Sequence, residues 1–225
     1  YTVYDQEGNV LKGNINAETR QMTIEDVAQT GFFSLLYAGV SASNIAGTSA
    51  VATSNALAVG QSDKLPVTES FANMKQHYPH WWADGTGSFN TPGFDGDMYS
   101  DRDRGSFRWE AFDNGETEWL STAKVSMSGA KQVGVVFSYY VEPGHNRQVT
   151  VLAVHPDGIT TDTLGMVNDS LETGKARWMQ KVLYLSQAQM SEPYLVFRFM
   201  MHAQNRLETF YLDNLYFYKN GSSSG

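Results

Sequence analysis

Apolar and polar residues alternate along most of the chain with the period of a β-strand, and the helical period is nearly absent. In the run VGVVFSYYV, every second residue from Val133 to Val141 is apolar and falls on one face. The runs QVTVLAV (148–154) and RWMQKVLYLS (177–186) show the same alternation. Gly, Asn, Asp and Pro interrupt these runs at short intervals. The pattern predicts an all-β chain of antiparallel sheets packed as a sandwich.

The character of the chain changes after residue 60. A polar stretch from Gly60 to Pro66 follows the short strand-like runs of the first part, and all five Trp and all five His lie beyond residue 76. Composition shifts and Gly- and Pro-containing polar stretches mark domain boundaries. We therefore expect a first domain (1–60), a linker (61–68), a second domain (69–219) and a tail (220–225).

Composition excludes several classes of partner and chemistry. The chain has 225 residues, of which 41% are hydrophobic, and 12 Tyr, 12 Phe and 5 Trp can fill a core. Its formal net charge of −8 argues against nucleic acid and against an anionic membrane surface. The absence of Cys excludes disulfides, thiolate metal sites and Cys nucleophiles. No apolar run is long enough for membrane insertion. Because the chain begins with Tyr1, we expect further domains of the same polypeptide.

The first domain resembles the second half of a fibronectin type III domain. YTVYDQEGNVL, from Tyr1, is similar to the third strand and following turn of that family, and Val40-x-Ala42-x-Asn44-x-x-Gly47 is similar to the stretch that leaves its penultimate strand. The first two strands and their core Trp have no counterpart in this sequence. The resemblance implies a partial β-sandwich with one poorly covered face, completed by strands upstream of Tyr1 or by packing on the second domain.

The second domain resembles the jelly-roll adhesin domains of bacterial surface proteins, of the cleaved-adhesin and choice-of-anchor type, which are MAM-like in shape. Four motifs in the same order carry this likeness: LPVTESFAN, WLSTAKVSMSGAKQVGVVFSYYV, ARWMQKVLYLS and FYLDNLYFY. The resemblance implies a secreted or cell-surface bacterial protein that binds a glycan or a surface protein.

Asp213 interrupts the last strand-like run, FYLDNLYFY (210–218), in which its neighbours are large and apolar. In jelly rolls of this kind, an acidic residue of the first strand and the Asp of the last strand meet beside Ca²⁺, so the resemblance implies a structural calcium site that contains Glu69 and Asp213. The acidic run GFDGDMYSDRDRG offers further oxygen ligands. Its members are Asp95 and Asp97, followed by Asp101 and Asp103. The alternative is that Asp213 accepts hydrogen bonds from backbone N–H groups.

Catalytic motifs are poorly represented in the sequence. The HYPH run contains Pro79, which excludes the regular helix that paired His ligands use, and no HExxH, GxSxG or P-loop occurs. Glu116 and Glu118 alternate on one face of a predicted strand, as carboxylates of a retaining glycosidase can. The acidic signature of sandwich-fold hydrolases is otherwise missing, so solvent-facing charges are the simpler interpretation. We expect a chain that is not an enzyme; a sandwich-fold glycoside hydrolase or lyase and a purely architectural spacer are the alternatives.

Aromatic residues are the remaining indication of function. Trp81 and Trp82 follow HYPH in a predicted loop, and Trp109 lies between Arg108 and Glu110. Exposed aromatic rings beside polar groups are typical of sugar-binding surfaces. We therefore predict ligand binding at these three Trp, with the alternative that Trp81 and Trp82 place one ring in the core and one over its rim. Trp119 and Trp178 are predicted to be core residues.

Overall fold

The structure is a computed structural model that describes residues 1–5, 8–23, 34–36, 38–54, 57–71, 81–84, 101 and 105–220. For 34–36, 57–59 and 81–84 the structure describes the backbone only. The strands, in chain order, are β1 (Thr2–Tyr4), β2 (Val10–Lys12), β3 (Ser34–Leu36), β4 (Gly39–Ser41), β5 (Ser43–Asn44), β6 (Gly47–Thr48), β7 (Ala52–Thr53), β8 (Leu57–Val59), β9 (Val67–Glu69), β10 (Trp81–Asp84), β11 (Phe107–Glu110), β12 (Thr117–Thr122), β13 (Val125–Ser126), β14 (Gln132–Val141), β15 (Gln148–Val154), β16 (Thr161–Asn168), β17 (Arg177–Tyr184), β18 (Tyr194–His202) and β19 (Thr209–Asn220).

The first part of the chain forms a small antiparallel sheet in the order β2-β1-β4-β7, with β3 paired to β8 and β5 paired to β6. Val3 is buried in it, whereas Val10 and Val51 are 61% and 50% exposed. Val10, on β2, and Val51, just before β7, therefore lie outside the packed part of this small sheet. The fibronectin resemblance itself stays a prediction, because nothing in this pairing tests it.

The second part is a sandwich of two antiparallel sheets, which confirms the predicted fold class. The six-stranded sheet has the order β10-β12-β18-β15-β16, and β13 also pairs with β18. The five-stranded sheet has the order β11-β19-β14-β17, and β9 also pairs with β19. The first strand of the sandwich therefore lies beside the last strand, as the jelly-roll resemblance implies.

The core lies between the two sheets and follows the alternation of the sequence. Val133, Val135, Phe137 and Val141 are fully buried, and Tyr139 is 8% exposed. Facing them, the rings of Phe197 and Phe199 come from β18, and the ring of Phe199 lies 5.3 Å from that of Phe137. Burying each such side chain stabilises the fold by about 1.5–3 kcal/mol.

Part of the predicted linker belongs to the sandwich. Leu65 is 8% exposed and packs in the core, and the backbone of Asp63 bonds to that of Lys124 and Ser126 beside β13. Val67 and Thr68 already pair with β19. The polar composition of this stretch therefore does not mark a free segment.

Among the described residues of the sandwich, helical structure is confined to two short turns. Helix α1 (Gln187–Met190) is capped by Ser186, whose Oγ accepts from Gln189 N while Gln189 Oε1 accepts from Ser186 N. A 3₁₀ turn covers Asp169–Leu171. Over the residues described above, no helix is long and apolar enough to span a membrane.

Strand β19 contains a β-bulge at the Asp213-Asn214 pair. Val136 lies opposite Tyr216 and Ser138 lies opposite Asp213, so two steps on β14 face three on β19. Asn214 has a φ of 46°, the left-handed conformation that Asn tolerates better than most residues. The extra residue shifts the alternation by one position. The core residues of β19 are therefore Phe210 and Leu212 before the bulge and Leu215 and Phe217 after it.

Candidate functional site

Asp213 and Glu69, the predicted calcium pair, lie on paired strands and are both buried. Glu69 lies opposite Leu215, two positions from Asp213. Asp213 Oδ2 accepts the backbone N–H of Asp101 at 2.8 Å, and its Oδ1 accepts that of Asn214 at 2.8 Å. Glu69 Oε2 accepts the backbone N–H of Phe71 at 3.0 Å. The hydrogen-bonded role predicted for Asp213 is therefore present in the structure.

Asp101 extends this buried polar cluster. Its Oδ2 accepts the hydroxyl of Ser138 on β14 at 2.6 Å, and its carbonyl oxygen accepts Asn214 Nδ2–H at 2.7 Å. Asp213 thus fastens the last strand to the segment at Asp101, while β9 is held to the last strand by the backbone ladder. Asn214, the extra residue of the bulge, holds the same segment through its side-chain hydrogen bond to Asp101.

Part of the predicted set of calcium ligands lies outside the described residues. Asp95, Asp97 and Asp103 lie outside the residues that the structure describes. Within the described part of the chain there is no group of three or more His, Cys, Asp or Glu side chains that could hold a metal ion. Calcium takes six to eight oxygens, so the described carboxylates fit the ion only as part of a larger set.

Trp109 is a core residue, and its predicted role in ligand binding is not compatible with its position. It is 1% exposed and its ring lies 5.2 Å from that of Phe210, its register partner on β19. Phe107 and Ala111, two positions away on either side, are also buried. The three residues form the inward face of β11 and its extension, so no ring surface is left for a ligand.

Trp81 and Trp82 lie in an edge strand, β10, where a loop was predicted. Trp81 pairs with Thr122 and Trp82 with Ser121 of β12. Residues opposite each other in an antiparallel ladder share a face, and successive residues alternate. Position 82 therefore belongs to the face of Ser121 and Trp119, and position 81 to the opposite face, which contains Leu120.

The outer face of the six-stranded sheet combines an aromatic ring with polar side chains. Trp119 is half-buried there, although it was predicted to be a core residue, because Leu120 takes the inward position. The guanidinium carbon of Arg198 lies 4.8 Å from the centre of the Trp119 ring. Thr117 Oγ1 and His202 Nδ1 are 2.9 Å apart. We define the Trp119 face as Thr117, Trp119, Gln148, Thr150, Met166, Asn168, Arg198, Met200 and His202.

The register arranges the Trp119 face in rows that run across the strands. One row passes from Trp119 through Met200 and Thr150 to Met166, which is 48% exposed. The next row, which is polar throughout, consists of Thr117, His202, Gln148 and Asn168. An apolar row beside a polar one can contact the ring faces and the hydroxyl groups of a sugar at the same time.

Trp178, the other predicted core Trp, is also half-buried and lies on the outer face of the five-stranded sheet. Its ring is 5.6 Å from that of Tyr140 in an edge-to-face arrangement. Tyr140 in turn contacts Tyr211 edge to face at 6.0 Å. The three rings pack against one another, so Trp178 contributes to packing on this face.

Glu116 and Glu118, the candidate catalytic pair, serve local structure. Glu116 Oε2 accepts the backbone N–H groups of Phe112 and Asp113, at 2.6 and 3.1 Å, and so closes the turn before β12. Glu118 is 3% exposed and its Oε1 accepts the backbone N–H of Trp119. Glu116 therefore lies before the strand and Glu118 is directed inward, so neither is the solvent-facing charge that the sequence suggested.

A second polar cluster, which is partly exposed, surrounds His155 at the end of β15. Its Nε2 lies 2.8 Å from Asp162 Oδ2, and its Nδ1 lies 3.0 Å from Glu192 Oε1. The hydrogen bond to Asp162, and then that to Glu192, raises the pKa of His155 above its usual value. The same bond with His155 lowers the pKa of Asp162. The cluster joins β16 to the segment after α1.

Comparison with known proteins finds solved structures that share the fold of the sandwich. No family model and no curated protein matches the chain. A family 27 carbohydrate-binding module from Caldicellulosiruptor saccharolyticus, solved with mannohexaose, is 15% identical over 70% of this chain and 98% of its own, with a TM-score of 0.50. The K1 cleaved adhesin domain of Lys-gingipain from Porphyromonas gingivalis is 15% identical over 69% of this chain and 99% of its own, with a TM-score of 0.48. One of these two is a carbohydrate-binding module and the other an adhesin domain, and at this identity the likeness establishes the fold alone.

Proposed function

We propose that the chain is a non-catalytic, exported module that binds a glycan across the Trp119 face. The observation that supports this proposal is the half-buried Trp119 ring on an outer sheet face that carries an apolar row beside a polar one, with the guanidinium carbon of Arg198 4.8 Å from the centre of the ring. Rings of this kind stack against the C–H face of a pyranose, and neighbouring polar groups bind its hydroxyls. A carbohydrate-binding module of similar fold was solved in complex with mannohexaose.

The polar groups of this face suit a neutral glycan. Thr117 and Thr150 carry hydroxyls, Gln148 donates and accepts, and His202 contributes a ring nitrogen. The net charge of −8 repels polyanionic chains at long range. We therefore expect neutral plant or bacterial polysaccharides to bind better than sulfated or uronate-rich ones. A surface protein that displays such a glycan is an equivalent partner.

Structural calcium is the second part of the proposal. Glu69 and Asp213 are buried carboxylates on paired strands, and Asp101 is hydrogen-bonded to Asp213. Asp95 and Asp97 would supply the remaining carboxylate oxygens. The ion would neutralise charge where apolar neighbours cannot, and would hold the last strand in place without taking part in ligand recognition.

A glycan array probed with the full chain tests the proposed function, followed by calorimetry on each glycan that binds. We expect Trp119→Ala to raise Kd by about tenfold or more, which corresponds to about 1.4 kcal/mol. Trp178→Ala, which removes an equally half-buried indole from the other sheet, is the matched control and should leave Kd unchanged. Binding that survives Trp119→Ala would place the site elsewhere, and an empty array would favour the architectural spacer.

A further inference from the structure

A group of exposed aromatic side chains lies on the outer face of the five-stranded sheet. On β14 the buried core residues alternate with Gly134 and Val136, which therefore lie on the outer face. Each of these two residues has one partner on β17 and one on β19, and partners in an antiparallel ladder share a face. We define the tyrosine face as these two residues and their partners, namely Gly134, Val136, Val182, Tyr184, Tyr216 and Tyr218.

The side chains of the tyrosine face are open to solvent. Tyr184 is 57% exposed, Tyr216 is 39% exposed and Val182 is 40% exposed. Tyr211, which belongs to the packed rings around Trp178 on the same side of the sheet, is only 7% exposed. Exposed apolar and aromatic side chains scattered singly are normal, whereas a contiguous group of them marks an interaction surface. The tyrosine face is therefore a candidate binding surface.

The Tyr218 ring is fixed in place across the sheet. A Cβ atom at position 134 would overlap the outer end of this ring, at Cζ and the hydroxyl. The ring therefore extends from β19 over the backbone of β14, and Gly134 leaves the space that it needs. The hydroxyl of Tyr218 is hydrogen-bonded to Tyr184 on the far side of β14. The Tyr218 ring lies 5.6 Å from that of Tyr216, at 27° to it. Three rings from two strands are thus held together before any ligand binds, which lowers the entropic cost of binding.

The polar groups of the tyrosine face are uncharged. No Asp, Glu, Lys or Arg occurs among its six residues, and its phenol hydroxyls can both donate and accept hydrogen bonds. In the next row of the sheet, Asn220 Nδ2 donates to Gln132 Oε1 at 3.1 Å, so the rim carries two amide side chains. Aromatic rings beside uncharged donors and acceptors match a ligand that combines C–H faces with hydroxyl groups, which is the chemistry of a neutral sugar.

A second copy of the chain fits this surface less well than a sugar does. A whole aromatic side chain offers about 150–250 Å², so Tyr184 and Tyr216, at their exposed fractions, present about 200 Å² together. A stable protein–protein interface needs about 800 Å² from each partner. The exposed rings therefore suffice for a short stretch of a polysaccharide but not for a stable dimer.

We propose that the tyrosine face is a second glycan-binding surface, which takes a neutral polysaccharide chain independently of the Trp119 face. Pyranose C–H groups contact the rings of Tyr184 and Tyr216, and the phenol hydroxyls bind the hydroxyls of the sugar. The two surfaces belong to different sheets with the core between them, so one molecule can hold two chains at once. The choice of a sugar rests on the proposed function, whereas the tyrosine face as a binding surface does not. Because few side chains contact the sugar, we expect millimolar affinity, too weak to appear on the glycan array.

Titration of the ¹⁵N-labelled full chain with cellohexaose, mannohexaose and xylohexaose tests this assignment by NMR. We expect at least one of these sugars to shift the amides of 182–184 and 216–218 in a saturable way at millimolar concentration. Tyr216→Ala should weaken this binding about tenfold or more. If that variant is too unstable to be used, Tyr184→Ala, on the edge strand β17, should have the same effect. Tyr1→Ala is the matched control, because Tyr1 is 42% exposed in the first part of the chain, and it should leave the binding unchanged.

Two comparisons separate this surface from the alternatives. Trp119→Ala should remove the shifts of amides 117–121 and leave those of the tyrosine face unchanged. Wild-type shifts confined to 117–121 would overturn this inference and leave the proposed function standing, whereas shifts confined to the tyrosine face would support it and contradict the proposed site. Sedimentation velocity without sugar is the second comparison, since dimers that disappear in Tyr216→Ala would assign the face to a second copy and overturn the inference. No saturable shift at either surface would overturn both proposals.

Discussion

Asp213 is the residue whose sequence context is most unusual, and its contacts give a defined expectation. Asp213→Ala leaves the backbone N–H groups of Asp101 and Asn214 without their acceptor in a buried place. We expect the free energy of unfolding to fall by about 2–4 kcal/mol, since each unsatisfied group costs about 1–3 kcal/mol. Urea denaturation measures the change. Asp113→Ala, at an exposed turn, should alter stability by about 0.5 kcal/mol or less.

Calcium at the same residue is tested by melting the full chain in millimolar Ca²⁺ and then with a chelator. An ion that binds only the folded state at a hundredfold excess over its Kd stabilises it by about 2.7 kcal/mol. We expect the melting temperature to drop on chelation and the drop to vanish in Asp213→Asn. If chelation changes nothing while Asp213→Ala is strongly destabilising, the hydrogen-bonded role alone is correct.

At the scale of elements, the His155 cluster predicts a pH dependence. The raised pKa of His155 means that the protonated ring is favoured in the folded state. Its contribution is fully present below the unfolded pKa of about 6.5, and it is lost as pH rises through the raised folded value. The lowered pKa of Asp162 acts in the opposite direction, and its contribution is lost as pH falls through that lowered value.

The free energy of unfolding of the wild type should therefore exceed that of His155→Ala most between the lowered pKa of Asp162 and the raised pKa of His155. The difference should shrink as the pH rises above the raised pKa of His155. Chemical denaturation at a series of pH values measures it, and the NMR titration of the His155 ring reports the pKa directly. The side chains of Asp162 and Glu192 are 39% and 33% exposed. Solvent screening therefore keeps the contribution of both ion pairs to stability modest. A difference that is independent of pH would show that the ring contributes by packing alone.

Strand alternation predicted some elements fully and others only in part. The inward face of β14 was correct because its apolar residues recur without a break. The inward residues of strand β19 could not be predicted in the same way. Even-numbered residues face the core before the bulge at Asn214, and odd-numbered residues face it afterwards. The signal that separates Trp109 from Trp119 was present: Trp109 has apolar residues two positions away on both sides, Phe107 and Ala111. Trp119 has Thr117 and Ser121 there, which indicates the outer face.

At the scale of the whole molecule, the sites depend on pairings that local sequence does not contain. The Trp119 face exists because β12, β18 and β15 become neighbours, although β18 is the last of the three in sequence. A cleft of about 400 Å³ brings together Arg147, from the connection between β14 and β15, and Glu208, from the connection between β18 and β19. Neither residue belongs to a motif, and a lone Arg or Glu in a polar loop is ordinarily solvent-facing. Their burial is the signal, and burial follows from the fold.

The start of the sandwich is the last point on which sequence and structure differ, and one residue decides it. The polar composition around Leu65 predicted a linker, where truncation to Ala would have little effect. The structure instead buries Leu65 in the core of the sandwich. Leu65→Ala in the full chain should therefore lower the free energy of unfolding by about 2–4 kcal/mol, the usual cost of a buried Leu-to-Ala change. Leu171→Ala is the matched control, because Leu171 is 79% exposed, and it should stay within about 0.5 kcal/mol of the wild type. Denaturant midpoints at constant slope measure both changes. Equal midpoints for the two variants would restore the linker and move the start of the sandwich to β9.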